Sequence, residues 1–250
     1  MEIERKTFQG VVNILSFNRH FYFIGLSFLA AIIACFIYFN WTQSILLIII
    51  IAFIYGLVMP LIISAYVYDY SGYYNFNWLK KCDVKDVEKQ LIININAGFD
   101  ETSFSIKSKF PKSHLKVYDF YNPEKHTEPA IVRARKVTIE YPNTQQIKTN
   151  KIPLDNNTVD LIFLLSAAHE IRSNKEKVIF LKECHRVCKT SGKVILVEHL
   201  RDLPNFLAFS IGFAHFFSKN TWNSVFKKAG FSNCIEHKFT PFMSIFNYKP

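Results

Sequence analysis

Ile152-Pro153-Leu154-Asp155-Asn156-Asn157-Thr158-Val159-Asp160-Leu161-Ile162-Phe163-Leu164-Leu165 runs from turn-forming residues straight into an apolar stretch that only Asp160 interrupts. Turn chemistry followed by a continuous apolar run predicts a strand buried on both faces, over Val159–Leu165. Downstream, Lys175 to Cys188 brings Val178, Leu181, Cys184, His185 and Cys188 near one side of a helix bounded by Asn174 and Gly192. Lys193–Val197 then reads as another strand. Upstream, Leu91–Ile95 and Leu115–Tyr118 are strand candidates, the second ending at Asp119, and Val137-Thr138-Ile139 is a short third. Cys234–Phe239 and Ser244–Tyr248 add two more. Short apolar runs separated by helix-compatible stretches predict an α/β fold, a parallel sheet wrapped by helices.

The first 70 residues have a different character. Residues 21–39 and 45–67 carry no charge, and only Asn40-Trp41-Thr42-Gln43-Ser44 separates them. Each run is apolar all round, without the polar stripe of a surface helix, and is long enough to cross a hydrocarbon core of about 30 Å. A two-helix transmembrane hairpin over 1–70 follows, with Pro60 tolerated inside the second span. Arg5, Lys6 and Arg19 precede the first span and Lys80 and Lys81 follow the second, so both termini are expected in the cytoplasm. The predicted location is the cytoplasmic (in a two-membrane cell, inner) membrane. Tyr66, Tyr68, Tyr70, Tyr73, Tyr74, Phe76 and Trp78 crowd the exit like an interfacial aromatic belt, residues 71–87 read as linker, and 88–250 form the folded domain. Ile32-Ile33-Ala34-Cys35 looks like a lipoprotein cleavage box, but apolar residues continue past Cys35 where such a box turns polar.

Charge is unevenly divided. Before Asp69 stand only Arg5, Lys6 and Arg19 against Glu2 and Glu4, so the remaining 27 basic and 18 acidic residues give the rest of the chain an excess of nine out of ten. Beside a bilayer such a surface favours anionic headgroups. No Arg/Lys stripe with interleaved aromatics appears, so a nucleic-acid partner is not expected. The five cysteines are scattered and odd in number, which fits a reducing compartment. Cys184 and Cys188 in CHRVC read as helix packing, and no metal site is expected from that spacing.

Four pieces in order resemble class I S-adenosylmethionine-dependent methyltransferases: a strand ending in a loop with Gly98, a second strand ending in Asp119, the 152–160 run into the fourth strand, and Val187–Lys193 into the fifth. Trp222, Val225, Phe226 and Ala229-Gly230-Phe231 look like the family's helix and turn before its sixth strand. The resemblance implies a Rossmann-like seven-stranded sheet with S-adenosyl-L-methionine as cofactor. Gly98 would allow close approach and Asp119 would hold the ribose diol, with Leu165 and Ser166 near the methionine portion. The first loop departs from the family's acidic-x-Gly-x-Gly-x-Gly pattern, reading Asn94-Ile95-Asn96-Ala97-Gly98-Phe99-Asp100. Asn96 is expected to keep the turn by tolerating positive φ, and Asp100 to cost affinity unless it faces the sulfonium or ammonium.

His169 and Glu170 follow the fourth strand and His199 follows the fifth, so these are the candidate catalytic residues, either histidine able to take a hydroxyl proton near neutral pH. Residues 205–218, NFLAFSIGFAHFFS, are too short to span a membrane and read equally as a lid, an interfacial helix or a core helix. With the hairpin, they point to an acceptor that lives in the membrane: a phenol or quinol, a pigment precursor or a lipid. The expected activity is methyl transfer, most simply to oxygen. Two alternatives stay open: a non-methylating enzyme of the same fold acting on quinones, and a non-catalytic membrane scaffold. Oligomeric state is not legible.

Overall fold

The computed structural model describes residues 5–250, so Glu2 and Glu4 of the N-terminal flank lie outside the described residues. The chain begins with two long helices, α1 (Gln9–Tyr38) and α2 (Gln43–Ser64), turned on Asn40 and Trp41. A wide π-type turn over Ala65–Tyr70 and two tight turns, Tyr73–Asn75 and Asn77–Cys82, lead to the sheet. Then follow β1 (Leu91–Asn96), α3 (Ser103–Lys109), β2 (His114–Asp119), α4 (Pro129–Arg135), β3 (Gln145–Gln146), β4 (Val159–Leu165), α5 (Asn174–Val187), β5 (Cys188–His199), α6 (Leu203–Phe209), α7 (Lys219–Ala229), β6 (Asn233–Thr240) and β7 (Met243–Lys249).

The seven strands lie in the order β3-β2-β1-β4-β5-β7-β6, with β7 antiparallel to both neighbours and the others parallel. Alternate residues of each strand face opposite ways, which divides the interior in two. Ile93, Ile95, Ile162 and Leu164 meet α5 and α7 on one face. Ile92, Leu161, Phe163 and Ile195 meet α3 and residues 63–82 on the other.

The opening stretch owes its shape to α5. Arg186 donates to the carbonyls of Ile152 and Leu154 and to Asn156, while Glu183 accepts from the Ile152 amide, so the turn is fastened before β4 begins. Asn157 takes the left-handed conformation that asparagine tolerates. Ser173 caps α5 and Ser218 caps α7, and Gly230, at φ 107°, ends α7 with the Phe231 amide reaching back to the Phe226 carbonyl. Cys184 and Cys188 are buried as packing residues.

Two expectations need correction. The third strand is not Val137–Ile139: Val137 and Ile139 are exposed, and this segment continues the end of α4, with the Thr138 hydroxyl donating to the Ala134 carbonyl. The β2 edge is taken instead by Gln145 and Gln146, paired with Tyr118 and Asp119. Residues 71–87 are not a free linker either. Tyr73, Phe76, Trp78, Leu79 and Cys82 are buried against the sheet, so three of the aromatics read as an interfacial belt are core side chains, while Tyr66 and Tyr70 do face outward.

Both N-terminal helices are long and apolar enough to cross a membrane by length and composition, and their apolar side chains face outward. Their base is fixed to the domain. The Gly10 amide donates to Asp69, Asn13 donates to Glu101, Phe17 meets Phe99 edge-on, and Arg133 of α4 donates to the Phe17 carbonyl and contacts His20. The first loop is thereby held between the sheet and α1.

Candidate functional site

In an open parallel sheet ligands bind beyond the carboxyl ends of the strands, at the point where strand order reverses. That point lies between β1 and β4, and chemistry-bearing side chains gather on either side of it.

Beyond β1 and β2 lies the loop of Asn94 to Asp100. Asn96 does hold the turn, but through its side chain: its Oδ1 accepts from the Gly98 amide at 2.7 Å, and Gly98 rather than Asn96 has positive φ, +83°. Asp100 Oδ1 accepts from the Thr102 and Ser103 amides and from Asn94 Nδ2, which also donates to Ser103 Oγ at 2.8 Å. Asn94 and Asp100 therefore tie the loop to the start of α3. The second oxygen of Asp100 and the Nδ2 of Asn96 are buried without partners. Asp119, also buried, accepts from the Tyr121 amide at 2.7 Å and from Arg135 Nη1 at 2.7 Å. Arg135 lies over the Tyr121 ring and so close to Gly98 that a Cβ there would stand 1.4 Å from its guanidinium. Asn96, Gly98, Asp100, Asp119 and Arg135 line a cavity of about 110 Å³.

Beyond β4 and β5 lies the second group. His169 Nδ1 is 2.7 Å from Glu198 Oε2, and the His169 amide donates to the other oxygen of Glu198. The second ring nitrogen of His169 is 3.4 Å from Glu170 Oε1. Burial alone would favour the neutral ring, but the carboxylates of Glu198 and Glu170 outweigh it and push the imidazolium up to about 10. Burial likewise disfavours the Glu170 carboxylate, yet its bond and charge pairing with His169 hold it below the usual carboxylate value. His215, from the turn after α6, stacks edge-on to His169 with ring centres 5.1 Å apart, and its Nδ1 is 3.2 Å from Glu128.

His199, expected as a proton acceptor, is occupied elsewhere. Its Nδ1 donates to the Phe242 carbonyl at 2.8 Å, so its Nε2 accepts from the Tyr68 hydroxyl at 2.9 Å. Buried and stacked on Phe216, it is pushed down to about 4 by desolvation and stays neutral. Leu165 is nearly buried, and Ser166 has φ 50° with its hydroxyl 3.5 Å from the Tyr73 hydroxyl.

The sequence-derived residues thus fall into two groups: Asn96, Gly98, Asp100 and Asp119 around one cavity, with Asn94 behind them bonded to Asp100 and α3, and His169 with Glu170 beside Glu198. His199 belongs to neither. Sequence reasoning missed Arg135, Glu128 and the inward-turned Tyr68 and Tyr73, since no local pattern reveals an aromatic that folds back from a membrane exit or an arginine that reaches across a loop.

Residues 122–196 match the family described as "Methyltransferase domain". No curated protein matches the chain. Among solved structures, the chain is similar to one in the complex between the Haloferax volcanii Trm112 methyltransferase activator and a putative methyltransferase, at 11% identity over 73% of this chain and 91% of that one, TM-score 0.50. PH0226 protein from Pyrococcus horikoshii OT3 is 16% identical over 70% and 89%, TM-score 0.50. A SAM-dependent methyltransferase from Aquifex aeolicus is 20% identical over 68% and 86%, TM-score 0.47. At such identities the first two likenesses speak for the fold alone. The strand order, the antiparallel β7 and the family match through β4 and β5 show that residues 91–249 have the class I S-adenosylmethionine-dependent methyltransferase fold.

Proposed function

We propose that the protein transfers a methyl group from S-adenosylmethionine to an oxygen of a lipid-soluble acceptor, a phenol or quinol, a pigment precursor or a lipid, at the cytoplasmic face of a membrane crossed by its hairpin. One observation carries the cofactor assignment. A buried acceptor without a donor, Asp100 Oδ2, and a buried donor without an acceptor, Asn96 Nδ2, sit beside Gly98 and Asp119 at the end of β1. Buried polar groups of native proteins are nearly always paired, so the pair calls for a ligand bearing both a cation and acceptor atoms. Asp100 would hold an ammonium and Asp119 a ribose diol, while Gly98 lets the backbone approach. The cavity is smaller than the roughly 300 Å³ at which small-molecule pockets begin. Arg135, a flexible side chain, must therefore swing off Asp119 to admit it. When bound, the cofactor supplies a methyl group on a sulfonium.

Methyl transfer depends mainly on positioning, and a base is needed only for a protonated acceptor. Glu170 and the His169–Glu198 pair offer an acceptor hydroxyl a hydrogen-bonding station beyond β4. Exposed Leu203, Phe206, Leu207 and Ile211 support membrane-side access, because Tyr55 of α2 donates to the Leu207 carbonyl and so sets this apolar face beside the hairpin. Of the three readings of residues 205–218, an interfacial element fits best and a core helix does not.

The test is calorimetric titration of the detergent-purified protein with S-adenosylmethionine, with Asp119→Ala as control, followed by incubation with membrane lipid extract and methyl-labelled cofactor. Saturable binding lost in the variant, and label in the organic phase, are expected. A folded wild type that binds nothing would overturn the proposal and leave the scaffold.

A further inference from the structure

The cluster beyond β4 holds more than a hydrogen-bonded histidine. Two separate segments bring donors to one place, His169 and Glu170 from the turn after β4 and His215 from the turn after α6, with Glu128 from the start of α4 beside His215. One ligand atom from each of His169, Glu170 and His215 lies within 4.8 Å of the others. Three donors about 2.1 Å from a common ion stand roughly 3.0–3.6 Å apart, so closing on one ion needs side-chain movements of about an ångström. Glu128 Oε2, 3.2 Å from His215 Nδ1, stands against the ring of His215.

Behind this set stands the support that metal-binding histidines ordinarily have. Glu198, itself buried, takes both the Nδ1 and the backbone amide of His169, fixing the ring and turning Nε2 toward Glu170. A carboxylate behind a histidine sets the ring's tautomer and raises its basicity as a ligand. Charge points the same way. Glu128, Glu170 and Glu198 bring three carboxylates together, and the two nearby cations are turned to backbone carbonyls: Arg172 donates to those of His169 and His215, and Lys177 to that of Ile171.

We propose that His169, Glu170 and His215 bind a divalent transition-metal ion, with Glu198 as the positioning residue behind His169. Two imidazoles with carboxylates suit Mn²⁺, Fe²⁺, Co²⁺ or Zn²⁺ rather than Ca²⁺ or Mg²⁺, which prefer all-oxygen shells. An ion held by three protein donors can keep a position open, so the site takes an oxygen-bearing ligand. That this oxygen is the methyl acceptor rests on the proposed function; binding of the ion does not.

The experiment is titration of the chelator-stripped full chain in detergent with Co²⁺, without cofactor or acceptor, read by the visible d–d absorption of bound Co²⁺ and by competition with Zn²⁺. One equivalent is expected. His169→Ala and His215→Ala should each weaken binding at least tenfold, and Glu198→Gln about 10- to 100-fold as a supporting carboxylate does. Glu170→Gln, which keeps shape and loses charge, gives the same answer should a histidine variant not fold. No saturable absorption in the wild type, or folded His169→Ala and His215→Ala variants that bind as the wild type does, would overturn the site. Cofactor titration of the same samples is a separate readout, so loss of the metal site and loss of the methyltransferase reading are distinguishable.

Discussion

Arg135 and Asp119 are an ion pair in a place where the fold leads one to expect a ligand, and the two residues should respond to substitution in opposite ways. Asp119 is the candidate partner of the ribose diol; Arg135 occupies that carboxylate first. Removing Asp119 deletes a charged hydrogen-bond acceptor worth about 1.5–3 kcal/mol, so Asp119→Ala should weaken S-adenosylmethionine binding roughly 10- to 100-fold. Removing Arg135, whose side chain is about a third exposed, frees an acceptor from a pair worth up to about 1 kcal/mol, and Arg135→Ala should tighten binding as much as about fivefold. Calorimetry on both variants checks this. Equal weakening in both would mean that Arg135 contacts the cofactor rather than competing with it. At the same scale, His199 makes stability depend on pH. Its folded value is lowered to about 4 from the ordinary 6.5, so the stabilisation is fully present above about pH 6.5 and is lost as pH falls toward 4. His169, raised to about 10, works the other way over the same window, its stabilisation falling as pH rises past about 6.5, so the variant isolates the His199 part: His199→Gln should raise the melting temperature at pH 5 relative to that at pH 7.5, compared with the wild type. What the sequence revealed here was placement: Gly98, Asp119 and His169 stand after the strands they were assigned to. What stayed hidden was partnership, because which ring nitrogen is free is decided by Tyr68 and Phe242, residues far from His199 in the chain.

Among the elements, periodic and apolar segments were legible and edges were not. β4 has the expected limits, and α5 differs from its expected span by one residue at each end, since burial on both faces and an amphipathic stripe leave little choice. β3 was misplaced because Val137-Thr138-Ile139 has the composition of a strand but no free edge to pair with, whereas Gln145 and Gln146, with no such composition, reach β2. An edge strand of two residues is set by register, not propensity. The segment taken as linker shows the same limit: its aromatics suit a membrane interface and a sheet face equally, and only packing against Phe163 and Phe239 distinguishes them. The joint between α1 and the turn after α2 offers a test. A Cβ on Gly10 would lie 2.7 Å from Tyr68 Cβ and 3.0 Å from an Asp69 oxygen, so the two segments can approach only because residue 10 has no side chain. Overpacking of this kind costs about 1–3 kcal/mol. Gly10→Leu should lower the melting temperature by about 2–4 °C for each kcal/mol lost. Because the Tyr68 hydroxyl donates to His199 and so favours the neutral ring, the same variant should also flatten the part of the acid loss of stability that His199 carries; an unchanged melting profile would mean that α1 is not held at Gly10.

For the molecule as a whole, the question is how deep the domain sits. Phe21 to Tyr38 measures about 27 Å along α1, close to one hydrocarbon thickness of about 30 Å. On α2, Tyr55 bonds to α6, so the last turns of that helix run beside the domain rather than through open lipid. A bilayer that covers α1 from Phe21 onward then reaches the exposed Phe206, Leu207 and Ile211 of the domain, and an apolar face submerged about 5–10 Å is the usual depth of an interfacial element. The cavity beside Gly98 would stay on the aqueous side, within reach of a charged cofactor, while the His169 and His215 cluster lies at the foot of the submerged element, where a lipid-soluble acceptor could arrive without entering water. The orientation proposed from the basic flanks at Arg5, Arg19, Lys80 and Lys81, with both ends in the cytoplasm, can be measured with cysteines. In intact cells a membrane-impermeant maleimide should label Trp41→Cys, in the turn between α1 and α2, from outside, and should leave Cys234, which is exposed on the domain, unlabelled until the membrane is broken. Labelling of Cys234 in intact cells would place the domain outside, away from cytosolic cofactor, and the methyl-transfer proposal would fail with it.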